Sequence, residues 1–142
     1  MASTLLYPVK TPQADTAFTV LIVDDDDENR QLARRVLERA AQDMPGGLMV
    51  AEGANGEEAI RLAHELHPDI VLMDIAMPRL NGLEATRRIK SEEPETKVII
   101  LTVHDERPYR EAAIAMGADA FLTKKTLLTS LLPTVKTMTQ TH

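Results

Sequence analysis

Five residues in this chain, three aspartates, a threonine and a lysine, could together handle a phosphate and a metal ion. Asp24 and Asp25 follow the apolar run Val20 to Val23, Asp74 follows Ile70 to Met73, Thr102 follows Val98 to Leu101, and Lys124 follows Ala120 to Thr123. Carboxylates gathered at short range repel one another unless a proton or a cation stands between them. An oxygen-only donor set with no Cys or His nearby favours a hard dication such as Mg2+. A Thr hydroxyl can rotate toward a bound phosphate, and a Lys ammonium on its flexible stem can reach one. The acidic run continues through Asp26 and Asp27. Those two read as the first turn of a helix, whose dipole favours negative charge there.

The chemistry requires elements that bring these positions together. If the apolar runs are parallel buried strands, their polar ends meet along one edge of one sheet. Strands are expected at about 18–23, 48–53, 69–74, 97–102 and 119–123. Between them lie helical patterns. Over about 27–43, Leu32, Val36, Leu37 and Ala40 form an apolar stripe, and Pro45-Gly46-Gly47 ends it. Asn55 followed by Glu58 resembles a capping box, opening a helix that stops before Pro68. Helical spacing resumes over 83–92, closed by Pro94, and again near 107–116, stopped by Gly117. A last helix starts at about Thr126, and Pro133 inside it should kink or weaken it. Strands apolar on both faces, alternating with helices, imply an α/β fold whose parallel sheet is covered on both sides. Ligands in such sheets bind outside the carboxyl ends of the strands, where the strand order reverses. The second strand offers no residue of the phosphate-handling kind, as expected of an edge strand away from the crevice.

The chain has 142 residues, enough for one domain with one proper core. Its 44% apolar and 27% charged content is that of an ordinary soluble protein. A net charge of -6, two Phe, two Tyr and no Trp argue against this chain gripping nucleic acid. The absence of Cys fits a reducing cytoplasm. The apolar stretches are of strand length, far short of a membrane span, and no signal-peptide pattern opens the chain. Residues 1–17 read as a flexible N-terminal extension in which Leu5-Leu6-Tyr7 is a weak candidate for docking. Residues 18–138 read as the folded domain and 139–142 as a tail.

With these pieces in order, the chain resembles the receiver domain of bacterial two-component response regulators, and is similar to the chemotaxis-type single-domain receivers. The matching residues are Val20 to Asp25 with Arg30, the segment 69–78 with Asn81-Gly82, Ile100 to Thr102, and Gly117 to Lys124. The resemblance implies a flavodoxin-like (βα)5 fold, doubly wound with strand order 2-1-3-4-5. It implies Asp74 as the phosphoacceptor, taking a phosphoryl group from a sensor histidine kinase or phosphotransfer protein. Mg2+ would be held by Asp25, by Asp24 mainly through water, by Asp74, and by the backbone carbonyl of Ala76. Thr102 and Lys124 would contact the phosphoryl oxygens, and Phe121 would turn as Thr102 moves. The face made by the fourth helix, fifth strand and fifth helix would then change its affinity for a downstream protein or for a second copy. No direct contact with nucleic acid or membrane is implied, and no enzymatic activity beyond the chain's own phosphoryl transfer and dephosphorylation. A stand-alone receiver and a receiver excised from a longer regulator are both compatible with the sequence.

Two departures stand out. Lys125 occupies a place where many receivers carry proline, and the spacing from Phe121 selects Lys124 over Lys125 for the site. Val103 is bulkier than the usual residue there and is expected to narrow access to Asp74. A competing enzymatic reading takes Asp24 and Asp26 as the aspartate pair of haloacid-dehalogenase-type phosphatases, but it leaves Asp74 unexplained.

Overall fold

Buried on both faces, strand residues must be apolar along their length, and the central runs obey this. All of Val20 to Val23, Ile70 to Met73 and Val98 to Thr102 are buried. The computed structural model describes residues 6–8, 17–44, 46–77, 79–104 and 106–140, with 6–8 and 140 described by backbone alone. The elements are strands β1 (Leu6–Pro8), β2 (Phe18–Val23), β3 (Leu48–Gly53), β4 (Ile70–Met73), β5 (Lys97–Thr102) and β6 (Ala120–Thr123). The helices are α1 (Asp27–Ala41), α2 (Gly56–Leu66), α3 (Gly82–Glu92), α4 (Arg107–Ala115) and α5 (Leu132–Gln140). The sheet order is β1-β3-β2-β4-β5-β6. All neighbours from β3 to β6 pair in parallel. Counted from Phe18–Val23, this is the expected 2-1-3-4-5 order of a flavodoxin-like fold.

Alternation along each strand divides the core into two layers. Val20, Ile22, Leu72, Ile99 and Leu101 face α1 and the C-terminal segment, meeting Val36, Leu37, Leu131 and Val135. Leu21, Val23, Val71, Met73 and Ile100 face the other way, toward Leu62, Ala85, Ile89 and Ala113 of α2, α3 and α4. Leu32, expected in the stripe of α1, is 39% exposed. The buried face of that helix runs instead through Ala33, Val36, Leu37, Ala40 and Ala41.

The lead-in departs from the expectation of flexibility at one place. Leu6–Pro8 forms a sixth strand, antiparallel to β3, with Leu6 opposite Ala51 and Pro8 opposite Met49. A strand this short carries no alternation to read. Pro8 is tolerated because an edge strand need not donate on its outer side. The rest of residues 1–16, together with Pro45, Pro78, Asp105 and residues 141–142, lies outside the described residues. At the other end, Lys124–Thr126 is a 3-10 turn and Leu127–Leu131 a π-helical turn before α5 begins. Pro133 has no N–H for the carbonyl four residues back. The irregular turns therefore fall on its N-terminal side, and α5 runs past residue 138 to Gln140. Among the described residues no helix is long and apolar enough to cross a membrane.

Candidate phosphate and metal site

The parallel register brings the carboxyl ends of β2, β4, β5 and β6 to one edge. Asp24 extends β2, and its N–H donates to the Gly53 carbonyl at the end of β3 (3.1 Å). Asp74 extends β4, and its N–H donates to the Val23 carbonyl (3.0 Å). These two bonds carry the sheet ladder one residue beyond the strands and fix where both side chains start. Asp24 and Asp74 are 5% and 6% exposed, whereas Asp25 is exposed. Ligand oxygens of Asp24, Asp25 and Asp74 all lie within 4.8 Å of one another.

Close approach of α3 sets the backbone after Asp74. The Gly82 N–H donates to the Ile75 carbonyl (2.9 Å). A Cβ on Gly82 would stand 1.8 Å from the Asp74 carbonyl oxygen, and one on Gly56 would stand 2.1 Å from the Leu80 carbonyl oxygen. Only residues without a Cβ allow the loop from Ile75 to Asn81 to lie this tightly between the starts of α2 and α3. Asn81 caps α3 by accepting from the Glu84 N–H (3.0 Å). Asn55 caps α2 in the same way from the Glu58 N–H (2.9 Å), with Glu58 accepting from the Ala54 N–H (2.8 Å). The capping box read from the sequence is thus present with its return bond shifted by one residue.

The buried polar groups at the edge have defined partners. The Lys124 ammonium donates to Asp24 Oδ2 at 2.6 Å and lies 3.4 Å from Asp74 Oδ2. Lys125, by contrast, is exposed. Asp74 Oδ1 accepts from the Ile75 N–H (2.8 Å). Thr102 is fully buried, and its hydroxyl accepts from the His104 N–H (3.2 Å). Burial raises the Asp74 carboxyl above its ordinary value. Lys124 pulls against this, the Asp24 charge adds to it, and the Thr102 hydroxyl and Ile75 N–H pull against it. A dication would relieve the conflict that leaves Asp74 hard to ionise, and an all-oxygen donor set suits Mg2+. The residues therefore fit such an ion. Ala76 lies in the loop two residues past Asp74 with its side chain exposed.

Asp26 and Asp27 behave as the helix start expected of them. Asp26 is the N-cap of α1, its carboxylate accepting from the Glu28 N–H (3.0 Å). Phe121 is half-buried against the layer of α2, α3 and α4, and the Arg110 guanidinium lies 4.6 Å over its ring. Val103 is 65% exposed and lines none of the narrow apolar cavity beside Asp74. Besides Asp24, Asp74 and Lys124, that cavity is lined by Asn29, Leu32, Ala33, Leu101 and Leu127.

The second parallel strand adds no residue to the acidic cluster, but one of its side chains holds α1 in place. Glu52 of β3 accepts from Arg30 Nε at 2.8 Å and also pairs with Arg34. The same Arg30 donates through Nη1 to the backbone carbonyl of Asp24 (2.6 Å) and through Nη2 to Asp27 (2.9 Å). The sequence flagged Arg30 only by its place in a motif. Glu52 gave no signal, because a Glu near the end of an edge strand reads as a solvated charge.

Comparison with known proteins agrees with this arrangement. Residues 20–136 match the family described as response regulator receiver domain. The chain is 36% identical over 121 residues to the transcriptional regulatory protein DegU of Brevibacillus brevis, covering 85% of this chain and 50% of DegU. It is 41% identical over 105 residues to the response regulator GacA of Pseudomonas aeruginosa, covering 74% of this chain and 47% of GacA. The chain thus spans about half the length of the curated relatives it matches. A solved two-component response regulator of the LuxR family from Aurantimonas sp. SI85-9A1 superposes with a TM-score of 0.77 at 31% identity, covering 89% of this chain and 87% of that one. With the sheet order, the acidic edge and the family match in agreement, this chain belongs to the response regulator receiver domain family.

Proposed function

We propose that the chain is a phosphorylation-dependent signalling switch of a two-component pathway, acting in the cytoplasm, with Asp74 as phosphoacceptor. One observation carries the reading: Asp74 is a carboxylate only 6% exposed, held at the carboxyl edge of the sheet with Asp24 and Lys124 beside it. Burying a carboxylate there is costly, a cost that a structural role alone would not call for. The donor is a phosphohistidine of a sensor kinase or phosphotransfer protein. An Asp74 oxygen attacks phosphorus in line as the nitrogen–phosphorus bond breaks, and the leaving imidazole keeps the electron pair. Such transfer asks the protein mainly to position groups and offset charge. Asp24, Asp25 and Asp74 would hold Mg2+, with the Ala76 carbonyl as a further ligand. When bound, the ion supplies charge neutralisation for the phosphoryl oxygens.

The chain's own residues do the rest. Lys124, already within 3.4 Å of Asp74, offsets the charge of roughly -2 carried by the acyl phosphate. The Thr102 hydroxyl turns from the His104 N–H toward a phosphoryl oxygen, and Phe121 follows into the space released. The resulting shift in a pre-existing equilibrium alters the face of α4, β6 and α5 for a downstream protein target or a second copy. This domain has no enzymatic role beyond its own phosphorylation and dephosphorylation, and nucleic-acid or membrane contact is left to other parts of a pathway.

The test is incubation with a small phosphoramidate and Mg2+, followed by mapping of the modified residue. Phosphate on Asp74, lost in Asp74→Asn, supports the reading; an equally labelled Asp74→Asn variant overturns it. In Lys124→Ala, phosphorylation-driven binding to the target should be lost, while Lys125→Ala should respond normally.

A further inference from the structure

Asp25 is the least supported member of the acidic cluster. Its carboxylate is exposed and makes no hydrogen bond or ion pair among the described residues. What aims it at Asp24 and Asp74 is therefore its backbone. Each peptide unit is planar, so a hydrogen bond to one atom of a unit restrains the unit as a whole. The unit before Asp25 is held through the Asp24 carbonyl, which accepts the 2.6 Å bond from Arg30 Nη1. The unit after it is held through the Asp26 N–H, which donates to Asp24 Oδ1 at 2.9 Å. The second hold depends on a carboxylate that a metal ion would compete for. The first does not.

Arg30 is itself fixed. Its Nε is bound by Glu52 Oε1 and its Nη2 by Asp27 Oδ1, at 2.8 and 2.9 Å, and its side chain is 15% exposed. A planar guanidinium with three of its donors engaged has little freedom to leave the Asp24 carbonyl. The Glu52 charge offsets the positive charge that Arg30 brings beside a cation site.

We propose that Arg30, anchored by Glu52 of β3, is the positioning residue for Asp25 and thereby sets the affinity of the acidic cluster for Mg2+. The inference rests on the receiver reading and deepens it. It differs in sign from simple electrostatics. Removing a positive charge near a cation site should tighten binding of the cation, whereas loss of positioning should weaken it.

The experiment is calorimetric titration of the full chain with MgCl2 near pH 7, with folding of each variant verified by circular dichroism. Arg30→Gln removes the charge, and Arg30→Lys keeps the charge but loses the three-way fork. Both should bind Mg2+ about 10-fold more weakly or worse, the usual cost of losing a group that orients a ligand. In an Asp25→Asn background, adding Arg30→Lys should change the affinity by less than about twofold, because the two residues act as one unit. Unchanged or tighter binding in Arg30→Lys or Arg30→Gln overturns the proposal. So does a full Arg30→Lys penalty in the Asp25→Asn background. If Arg30→Gln does not fold, Arg30→Lys decides the matter. Failure of the unsubstituted chain to bind Mg2+ at all would instead overturn the receiver reading, and this proposal with it.

Discussion

Asp74 sits where burial opposes its charge, and that conflict has a measurable sign. Its folded-state pKa is raised above the ordinary value of 3.8, first by burial and with Asp24 adding to the effect. Below that ordinary value the carboxyl is protonated whether the chain is folded or not, so it costs the fold nothing. As pH rises through the raised folded value, ionisation is penalised only in the folded state, and stability is lost. Asp74→Asn keeps the shape and removes the penalty. In a chelator at neutral pH, Asp74→Asn should therefore melt at a higher temperature than the unsubstituted chain. The gap should close as pH falls toward 3.8. A variant that is less stable at pH 7, or a gap independent of pH, would show that Lys124 and the Ile75 N–H already offset the cost of the charge. The proposed phosphoacceptor would then not be a residue that strains the fold.

At the scale of elements, the junction of β4 with α3 carries the sharpest constraint. By intrinsic propensity, Gly82→Ala in a helix should stabilise by about 1 kcal/mol. The Cβ it adds would stand 1.8 Å from the Asp74 carbonyl oxygen and 2.9 Å from Met73 Cγ, so backbone must move. The expected outcome is a loss of about 1–3 kcal/mol or more, with weaker Mg2+ binding because Asp74 shifts with its carbonyl. Gly53→Ala is the control, since its Cβ would meet Leu62 Cδ1 at an ordinary 3.4 Å. Equal melting temperatures for Gly82→Ala and the unsubstituted chain would refute this account. The sequence marked the Asn81-Gly82 pair without showing why Gly was needed there, because the close approach is a tertiary fact. Asp24, Asp74, Thr102 and Lys124 were legible because each ends an apolar run, a local signal. Glu52 and β1 were not. Glu52 is recognisable only once Arg30 lies across from it, and a strand as short as Leu6–Pro8 exists only because β3 offers an edge to pair with.

Over the whole molecule, the site is assembled from residues that meet only when the sheet is complete. Lys124 reaches Asp24 from 100 positions away, and the carboxylates come from the ends of two different strands. An unfolded chain has no such cluster, so an ion held by it binds the folded state alone. Binding then adds stability by mass action, about 2.7 kcal/mol at an ion concentration roughly a hundredfold above Kd. For a domain of this size that corresponds to a rise of roughly 10 °C in melting temperature. Thermal melts across a MgCl2 series should show a rise that continues with the logarithm of concentration above Kd. Asp25→Asn should move the onset of that rise to higher concentration, because it removes a ligand charge without disturbing either core layer. Arg30→Lys should move the onset the same way if Asp25 is aimed by the peptide that Arg30 holds. A shift of the same size in all three proteins would mean that Mg2+ acts on the net charge of -6 as a whole and not through this cluster. Repeating the series in NaCl of matched ionic strength separates the two, since general screening follows ionic strength and a site follows the dication.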